Sequence, residues 1–358
     1  MGQFASLLRS PRVWLGFGLS ILFIAIFVLR TDFSEIGDAF AEANYWWALA
    51  SVPVYFAGAW FRAWRWGFLL KPLGKFSTFT LFPIVIIGFM ANNLIPARAG
   101  EIVRAYIVGE RQRVSKMAAF GTIAVDRVFD GIVLLLFLLV AGAVSGLSDE
   151  LTTIAISMTV LFGVGLIVLA GLALSEGFAR WSVGVALRVT PARLRPQVAG
   201  LAGSFVIGLH SLRSPLDMAG AFVTSVLSWL LEATMYYVVG LAFGLDLGFE
   251  VYLLICAGAN LAISVLATQG GVGPFEVVTR ETVAHFGGAG AESVASAYAV
   301  ALHALVLIPV IVLGLYFLWA INLSLGEALK GRTAAVEQPL PATGEAATGL
   351  AGEEAGQG

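Results

Sequence analysis

The sequence has little charge and few residues that could form covalent or metal-bound links. Only 12% of its 358 residues are Asp, Glu, Lys or Arg, and it has one cysteine and three histidines. A single cysteine excludes an internal disulfide and a cysteine-rich zinc site, and the histidines lack metal-binding spacing. The net charge is -2, and the basic residues are scattered among loops without the basic face that nucleic-acid binding requires. We therefore expect no metal, no cofactor and no nucleic-acid partner.

Long hydrophobic runs dominate the sequence. Hydrophobic residues make up 59% of the chain, and the mean hydropathy is +0.89, which indicates a polytopic membrane protein. The runs are continuous rather than alternating, so we expect helices and not barrel strands to span the bilayer. The prediction is an all-α fold with six transmembrane helices at residues 13–29, 45–70, 117–144, 151–174, 216–245 and 292–322.

Two further apolar runs are interrupted or short. Residues 76–96 contain Pro83, Gly88 and two adjacent asparagines, and residues 252–266 are followed by a glycine-rich segment that starts at Gln269. We predict that each run forms a re-entrant hairpin. Lys and Arg concentrate in alternate connections, which places both termini in the cytosol by the positive-inside rule. The hairpins then enter from opposite sides, as in the inverted repeat of a transporter.

The domain prediction divides the chain at its last basic residues. Residues 1–330 form the membrane domain, and residues 331–358 are rich in Ala, Gly, Glu and Pro and are predicted to be a disordered cytosolic tail. Residues 178–214 mix apolar residues with arginines and are broken by prolines. They are predicted to lie on an anionic membrane surface as interfacial helices.

The segment at residues 92–104 carries the first candidate site. Pro96 favours a new helix that begins around Asn93 and carries Glu101 and Arg104 on one face. Asn92 precedes this start, and Arg98 lies within the predicted helix. A helix N-terminus in the membrane with nearby arginines would bind a phosphate or another anionic headgroup. The alternative is a cytosolic loop in which Glu101 and Arg104 pair only with each other.

Charged residues inside two long spans extend the candidate site. Asp126, Arg127 and Asp130 share a helix on which each charge costs about 2.5–3.5 kcal/mol on insertion scales, and Glu232 is the most isolated charge in the chain. They are expected to line a polar cavity, in which Glu232 would carry a coupling proton or contact the headgroup. The alternatives are that Arg127 and Asp130 neutralise each other or pair with residues of the first segment, and that Glu232 only bonds a neighbouring helix.

The second interrupted run adds Gln269, Glu276 and Arg280 to the candidate residues. They belong to a glycine-rich turn and the helix predicted after it, where a hinge with a surface ion pair is the alternative. A phosphate-binding P-loop is excluded because the Gly-Lys-Ser/Thr sequence is missing. Arg62 and Arg65 lie among tryptophans and are predicted to reach the interface as part of an aromatic belt, with a substrate-binding role as the alternative. His303 is predicted to be a helix contact, with a ligand role as the alternative.

These motifs, in this order, resemble one known family. Asn92, Pro96, Arg98, Gly100-Glu101, Arg104, Asp126-Arg127, Asp130 and a Gly-Gly-x-Gly-x-x-Glu segment ending at Glu276 are similar to the lysylphosphatidylglycerol synthase transmembrane-region family, also called the flippase-like domain family. The resemblance covers residues 13–325. It implies a multi-pass protein of the plasma (bacterial inner) membrane that moves a lipid-linked headgroup between leaflets. The cytosolic synthase domain of two-domain members is not expected here.

The sequence as a whole predicts a flippase. Arg98 and Arg104 would hold the phosphate of a phospholipid or polyprenyl-phosphate-linked lipid, and Glu101, Asp126 and Asp130 would position them. Transport would be passive or ion-coupled, because no ATP-binding motif is present. The alternatives are an embedded lipid phosphatase or headgroup transferase and an accessory subunit of a lipid-modifying synthase; a homo-oligomer or synthase partner stays open.

Overall fold

The computed structural model describes most of the predicted membrane domain. The described residues are 33–95, 99–146, 163–165, 167–168, 170–191, 194–266, 268–288 and 290–321, with single positions at 156 and 160. The predicted first span at 13–29, the predicted tail at 331–358 and Arg98 lie outside these residues. The predicted span at 151–174 is described only in part.

The first half of the described chain alternates long and short helices. A short helix, α1 (Phe33–Glu42), precedes a set of four: α2 (Tyr45–Leu69), α3 (Thr78–Leu94), α4 (Gly100–Gln112) and α5 (Lys116–Ser145). The starts of α2, α3 and α5 are fixed by side chains that accept a hydrogen bond from a first-turn amide: Asn44, Ser77 and Ser115. The sequence predicts an interruption at Pro83, but α3 continues through it and ends at Leu94.

Two helices and a short 3-10 segment connect this set to the second half. They are α6 (Glu176–Val189), α7 (Arg195–Gly208) and the 3-10 segment Leu209–Arg213. α7 packs against the beginning of α5 through glycines, because a Cβ on Gly208 would overlap Ala118 O and one on Gly121 would lie 2.5 Å from Phe205 O. The prediction that this region lies on anionic lipid stays a prediction.

The second half repeats the order of long and short helices. It consists of α8 (Pro215–Ala242), α9 (Phe249–Leu266), α10 (Pro274–Gly287) and α11 (Glu292–Ala320), with a 3-10 turn at Gln269–Gly271 between α9 and α10. The four helices have 28, 18, 14 and 29 residues. Those of the first set have 25, 17, 13 and 30. Each set is therefore a long helix, a pair of short helices and a second long helix.

The two sets are joined most extensively by α2 and α8, which run antiparallel. The N-terminal end of α2 meets the C-terminal end of α8, where Asn44 N donates to Ala242 O at 2.8 Å. At the other end, Lys71 after α2 pairs with Asp217 at the start of α8. Gly58 permits close contact in the middle, since a Cβ there would lie 3.1 Å from Ser228 O.

The remaining contacts follow the same pattern in both sets. The short helices pack as hairpins, α3 with α4 and α9 with α10, and each final helix packs against the other set, α5 on α9 and α11 on α3. The hairpin tips also meet. A Cβ on Gly270 would lie 3.4 Å from the backbone oxygen of Asn93. The bends of the two hairpins are therefore in contact.

Several described helices are suited to a membrane. α5, α8 and α11 are long and apolar enough to cross a bilayer, and a bent pair, Gly163–Leu174 with Glu176–Arg188, gives a fourth if it is one span. These three correspond to the predicted spans at 117–144, 216–245 and 292–322. α2 has the length of a span but is less apolar, because it carries aromatic residues and two arginines. The chain is an all-helical multi-pass membrane protein.

Candidate functional site

A cluster of buried charged side chains lies where α2, α4, α5 and α8 meet. Its centre is Arg65 of α2, whose side chain is 0% exposed. Arg65 Nε lies 2.7 Å from Asp126 Oδ1, and its Nη1 donates to Asp130 Oδ1 at 2.6 Å. The same Nη1 donates to Ser225 Oγ of α8 at 2.9 Å. One guanidinium therefore joins α2 to both acidic residues of α5 and to α8.

Two further arginines contact the same carboxylates from the other side. Arg104 Nη1 of α4 donates to Asp126 Oδ2 at 3.1 Å, and its guanidinium lies 4.3 Å from the centre of the Trp66 ring. Arg127 Nη2 lies 3.1 Å from Asp126 Oδ2 and 3.1 Å from Asp130 Oδ2. Arg104 is 3% exposed, whereas the Arg127 side chain is 38% exposed. Arg127 is thus the accessible cation of the cluster.

The five charged groups carry one excess positive charge, since three arginines face two aspartates. Glu101 of α4 lies among the electrostatic neighbours of Arg127 and balances that charge. It accepts a hydrogen bond from Asn92 Nδ2 at 3.3 Å, while Asn92 Oδ1 accepts from Gly100 N at 2.8 Å. Asn92 therefore ties the end of α3 to the beginning of α4, and a Cβ on Gly100 would overlap the backbone of α3.

A second ion pair lies further along α2 and α8. Arg62 Nη2 pairs with Glu232 Oε2, and Arg62 Nε donates to Ser228 Oγ at 2.9 Å. Asn260 Nδ2 of α9 donates to Glu232 Oε1 at 3.2 Å. Glu232 is therefore bonded to α2 and α9. Its sequence surroundings indicate an isolated charge, but the structure gives it partners on both helices.

Trp229 links the ion pair to the charged cluster. Its Nε1 donates to Asp130 Oδ1 at 2.9 Å, and its ring lies 4.1 Å from the Arg62 guanidinium. Such a cation–π contact adds to the attraction that holds the guanidinium in place. A continuous series of charged and polar groups therefore runs from Arg104 to Asn260 through the interface between the two sets of helices.

The prediction for Arg62 and Arg65 was wrong. Both were expected to reach the membrane interface, but Arg65 is fully buried and Arg62 pairs with Glu232. The aromatic residues around them favoured the belt interpretation. The signal against it was Glu232, because a carboxylate in a long apolar span needs a partner from another helix.

The second hairpin forms a separate site at its tip. Glu276 Oε1 lies 2.6 Å from His303 Nδ1, and Glu276 Oε2 accepts from Gly273 N at 2.7 Å. The prediction that His303 is a helix contact agrees with this geometry. Arg280 lies elsewhere, with its Nε donating to Ser296 Oγ at 3.0 Å near the α10–α11 connection. For Gln269, the described part of the structure is its backbone.

The structure thus brings some of the predicted site residues together and separates the others. Arg104, Asp126, Arg127 and Asp130 form one cluster with Glu101 and Asn92 beside it; Asn93 and Gln269 lie at the touching hairpin tips; Glu232, Glu276 and Arg280 have separate partners. The sequence did not indicate Arg65, Ser225, Trp229 or Asn260 as candidate site residues. Among the described residues, no three or more His, Cys, Asp or Glu side chains are grouped as metal ligands.

Two sets of helices that bury a charged cluster at their interface, and whose hairpins touch at the tips, define a class of multi-pass membrane protein with a polar interior. The family model for the lysylphosphatidylglycerol synthase TM region matches residues 13–314 of the sequence, and the chain belongs to this family. The resemblance drawn from the sequence motifs is therefore confirmed.

Curated relatives agree with this membership. Glycosyltransferase AglD of Haloferax volcanii is 28% identical over 305 residues, which cover 75% of this chain and 48% of that protein. A UPF0104 membrane protein of Methanothermobacter thermautotrophicus is 26% identical over 270 residues, 71% of this chain and 80% of that protein. A second UPF0104 membrane protein of the same organism is 26% identical over 282 residues. The chain spans about half the length of AglD.

Proposed function

We propose that this protein moves a lipid with an anionic headgroup between the two leaflets of the plasma membrane. The lipid is a phospholipid or a polyprenyl-phosphate-linked lipid. The observation that carries the proposal is the buried cluster of Arg65, Arg104, Arg127, Asp126 and Asp130, in which one arginine stays accessible. Ionisable groups at membrane depth are costly and mark substrate pathways, because a purely structural role is served more cheaply by apolar packing.

The helix arrangement supports a transporter architecture with an inverted repeat. Both sets have the same order of long and short helices and the same pattern of pairing. α2 and α8 occupy corresponding positions in the two sets and run antiparallel. The twofold axis that exchanges the two sets is therefore perpendicular to both helices. With α2 and α8 crossing the bilayer, that axis lies in the membrane plane. The α3–α4 and α9–α10 hairpins are then re-entrant elements from opposite sides, among six spans with cytosolic termini.

Arg127 is the residue proposed to bind the headgroup phosphate. Its guanidinium shares one nitrogen between two aspartates, and more than a third of its side chain is exposed. A phosphate can replace Asp126 or Asp130 at Arg127, because Arg65 and Arg104 together continue to neutralise the two carboxylates. Arg62 lies on the path beyond, so the headgroup would meet a second guanidinium. The lipid tails stay in the bilayer while the headgroup crosses along polar groups.

The state of the acidic residues favours transport over an embedded phosphatase or transferase. A general acid or base needs a carboxyl group that is free to exchange a proton with the substrate. Asp126 and Asp130 are instead held by three arginines, with Trp229 also donating to Asp130. An enzyme built on these two aspartates would first have to release them.

An accessory role is the second candidate. The relative named Glycosyltransferase AglD favours it, since this chain matches 48% of that protein. In this role, the chain would act with a glycosyltransferase or a lipid-modifying synthase as its partner. It predicts no lipid exchange by the purified protein alone.

Reconstitution with short-chain fluorescent lipids separates these functions. The purified protein is placed in liposomes, and leaflet exchange of an anionic phospholipid is followed by chemical quenching of the outer leaflet. Losing one charge-assisted hydrogen bond of about 1.5–3 kcal/mol predicts that Arg127→Gln slows exchange roughly 10- to 100-fold. Lys75→Gln, which removes an exposed charge between α2 and α3, is the control and keeps the wild-type rate.

Three outcomes contradict the proposal. Equal exchange by the wild type and Arg127→Gln removes Arg127 from the path. A changed lipid, detected by mass spectrometry of the extracted liposomes, identifies an enzyme. Exchange no faster than in protein-free liposomes supports the accessory role.

A further inference from the structure

The tip of the second hairpin is fastened to α11 by one histidine. His303 is 4% exposed and lies against Phe275, whose ring centre is 4.4 Å away and nearly parallel. Its Nδ1 lies 2.6 Å from Glu276 Oε1, and its Nε2 lies 3.0 Å from Gly270 O. Gly270 belongs to the 3-10 turn, which has a positive φ of 60° at this residue. Both ring nitrogens are therefore used to hold the turn and the helix that follows it.

These two contacts fix the number of protons at the site. Gly270 O is a carbonyl oxygen and can only accept, so His303 Nε2 must carry a hydrogen. The other bond then needs a hydrogen as well, either on Nδ1 of an imidazolium or on the carboxyl group of Glu276. In both cases, the pair holds one proton more than a neutral histidine and a carboxylate.

We infer that His303 and Glu276 form a proton-binding site that latches the second hairpin tip against the first. With the proton bound, His303 donates to Gly270 O and shares a hydrogen with Glu276. Without it, a neutral imidazole has one N–H for two acceptors, so a lone pair faces either Glu276 or Gly270 O. Proton loss thus replaces one of the two hydrogen bonds with a repulsive contact and loosens the turn.

The position of the latch connects it to the lipid path. Gly270 is the residue whose backbone approaches Asn93 in the first hairpin, so releasing the turn separates the two tips. Phe275 also packs edge-on against Tyr236, whose hydroxyl lies 3.3 Å from Glu232 Oε1. This role as the coupling-proton site rests on the proposed function, because it takes the tips to be the gate through which the headgroup passes.

Among the described side chains, the charged groups on the helices packed against α11, other than Glu276, are paired elsewhere or lie at the surface. α3 has none along its length. The charged residues and the further histidine on the other packed helices are Glu35, Asp38 and Glu42 on α1, Arg62 and Arg65 on α2, Asp217 and Glu232 on α8, and Glu276, Arg280, Glu281 and His285 on α10. Of these, Glu276 is the one with an ion pair to His303. The proton at this pair is therefore expected to control the tip directly.

Spin-label distances between the tips test the latch without a lipid substrate. Nitroxides are attached at Leu94→Cys and Ser264→Cys, two exposed positions at the ends of α3 and α9, in a Cys256→Ala background that removes the native thiol. Distances are measured by pulsed electron paramagnetic resonance in nanodiscs at about pH 5.5 and about pH 8.5, on either side of the usual histidine range. We expect the short-distance population to fall by about half or more at the higher pH.

Glu276→Gln is the decisive variant because it imitates the protonated pair. Its amide donates to Nδ1 of a neutral histidine at either pH, which leaves Nε2–H for Gly270 O. This variant should keep the short distance at both pH values. His303→Phe removes both bonds and should give the longer distance at both.

The results separate the latch from the lipid-moving role. A wild-type distance that ignores pH, a Glu276→Gln distance that changes as in the wild type, or a short distance in His303→Phe would each overturn the latch. Lipid exchange that continues under such a result would leave the proposed function standing. A pH-dependent distance in a protein that exchanges no lipid would support the latch and overturn the lipid-moving role.

Discussion

Two ion pairs join α2 to α8 at different depths, and we predict very different coupling within them. Arg62 and Glu232 have side chains that are 12% and 6% exposed, whereas Lys71 is 44% exposed in its pair with Asp217. Removing one partner of a buried pair costs about 3–5 kcal/mol, since the other charge stays buried without compensation. An exposed pair contributes about 0–1 kcal/mol.

Double-mutant cycles measure this difference. Arg62→Met should lower the free energy of unfolding by about 3–5 kcal/mol, because it leaves the Glu232 carboxylate without its counter-charge. Glu232→Gln keeps an acceptor for Asn260 but leaves Arg62 unbalanced. The double variant should cost about 1 kcal/mol, since no unpaired charge remains. Glu232→Gln should cost about as much as Arg62→Met, so the coupling energy, which is the sum of the two single costs less the cost of the double variant, is about 5–9 kcal/mol for this pair and below about 1 kcal/mol for Lys71 and Asp217.

The assay is unfolding by sodium dodecyl sulfate in mixed micelles, followed by tryptophan fluorescence. Trp229 lies against Arg62, so its emission also reports loss of the α2–α8 contact. Additive effects of Arg62→Met and Glu232→Gln, or a coupling energy no larger than that of Lys71 and Asp217, would refute the assignment of a desolvated pair. The Lys71 and Asp217 cycle is the matched control because it probes the same two helices.

Two further substitutions test the contacts around the charged cluster. Gly100→Ala should lower the thermal unfolding midpoint, since the added methyl overlaps the facing backbone of α3, whereas Gly37→Ala, with open space around it, should be neutral or raise the midpoint. If both alanines behave alike, the close approach of α3 and α4 is wrong. Trp229→Phe keeps the ring beneath Arg62 but removes the donor to Asp130, and should cost about 1–3 kcal/mol by the same unfolding assay; an unchanged stability would rule that hydrogen bond out.

Hydrophobic patterns predicted the long apolar helices well, because a helix that crosses a bilayer must be apolar along its length. The runs at 117–144, 216–245 and 292–322 correspond to α5, α8 and α11, because a bilayer demands a continuous apolar helix of that length. The interruption near the asparagine pair was also anticipated, but Asn93 still belongs to α3 and the next helix begins at Gly100, not around Asn93 as predicted. Pro83 does not end α3. The six-span total stays a prediction, since residues 13–29 lie outside the described part and α2 is less apolar than the spans.

The sequence predicted part of the candidate site. The other site residues were missed for one physical reason. Asp126, Asp130 and Arg104 were identified because charge in an apolar run stands out in any sequence. Arg65 was misplaced because its pattern resembles an interfacial belt and its partners lie on helices distant in the chain. A sequence pattern gives the face of a helix, but the partner of that face depends on tertiary packing. The antiparallel fit of α2 and α8 is such a packing result.

The antiparallel packing of α2 against α8 has a consequence for each set of helices on its own. The surface through which α2 meets α8 is formed between the sets, so one set alone would expose buried arginines and carboxylates to lipid. A second copy of that set could cover them only by inserting upside down relative to the first. Two separately synthesised halves would therefore need opposite membrane orientations before they could assemble, and a loop-charge bias that orients both alike would prevent it.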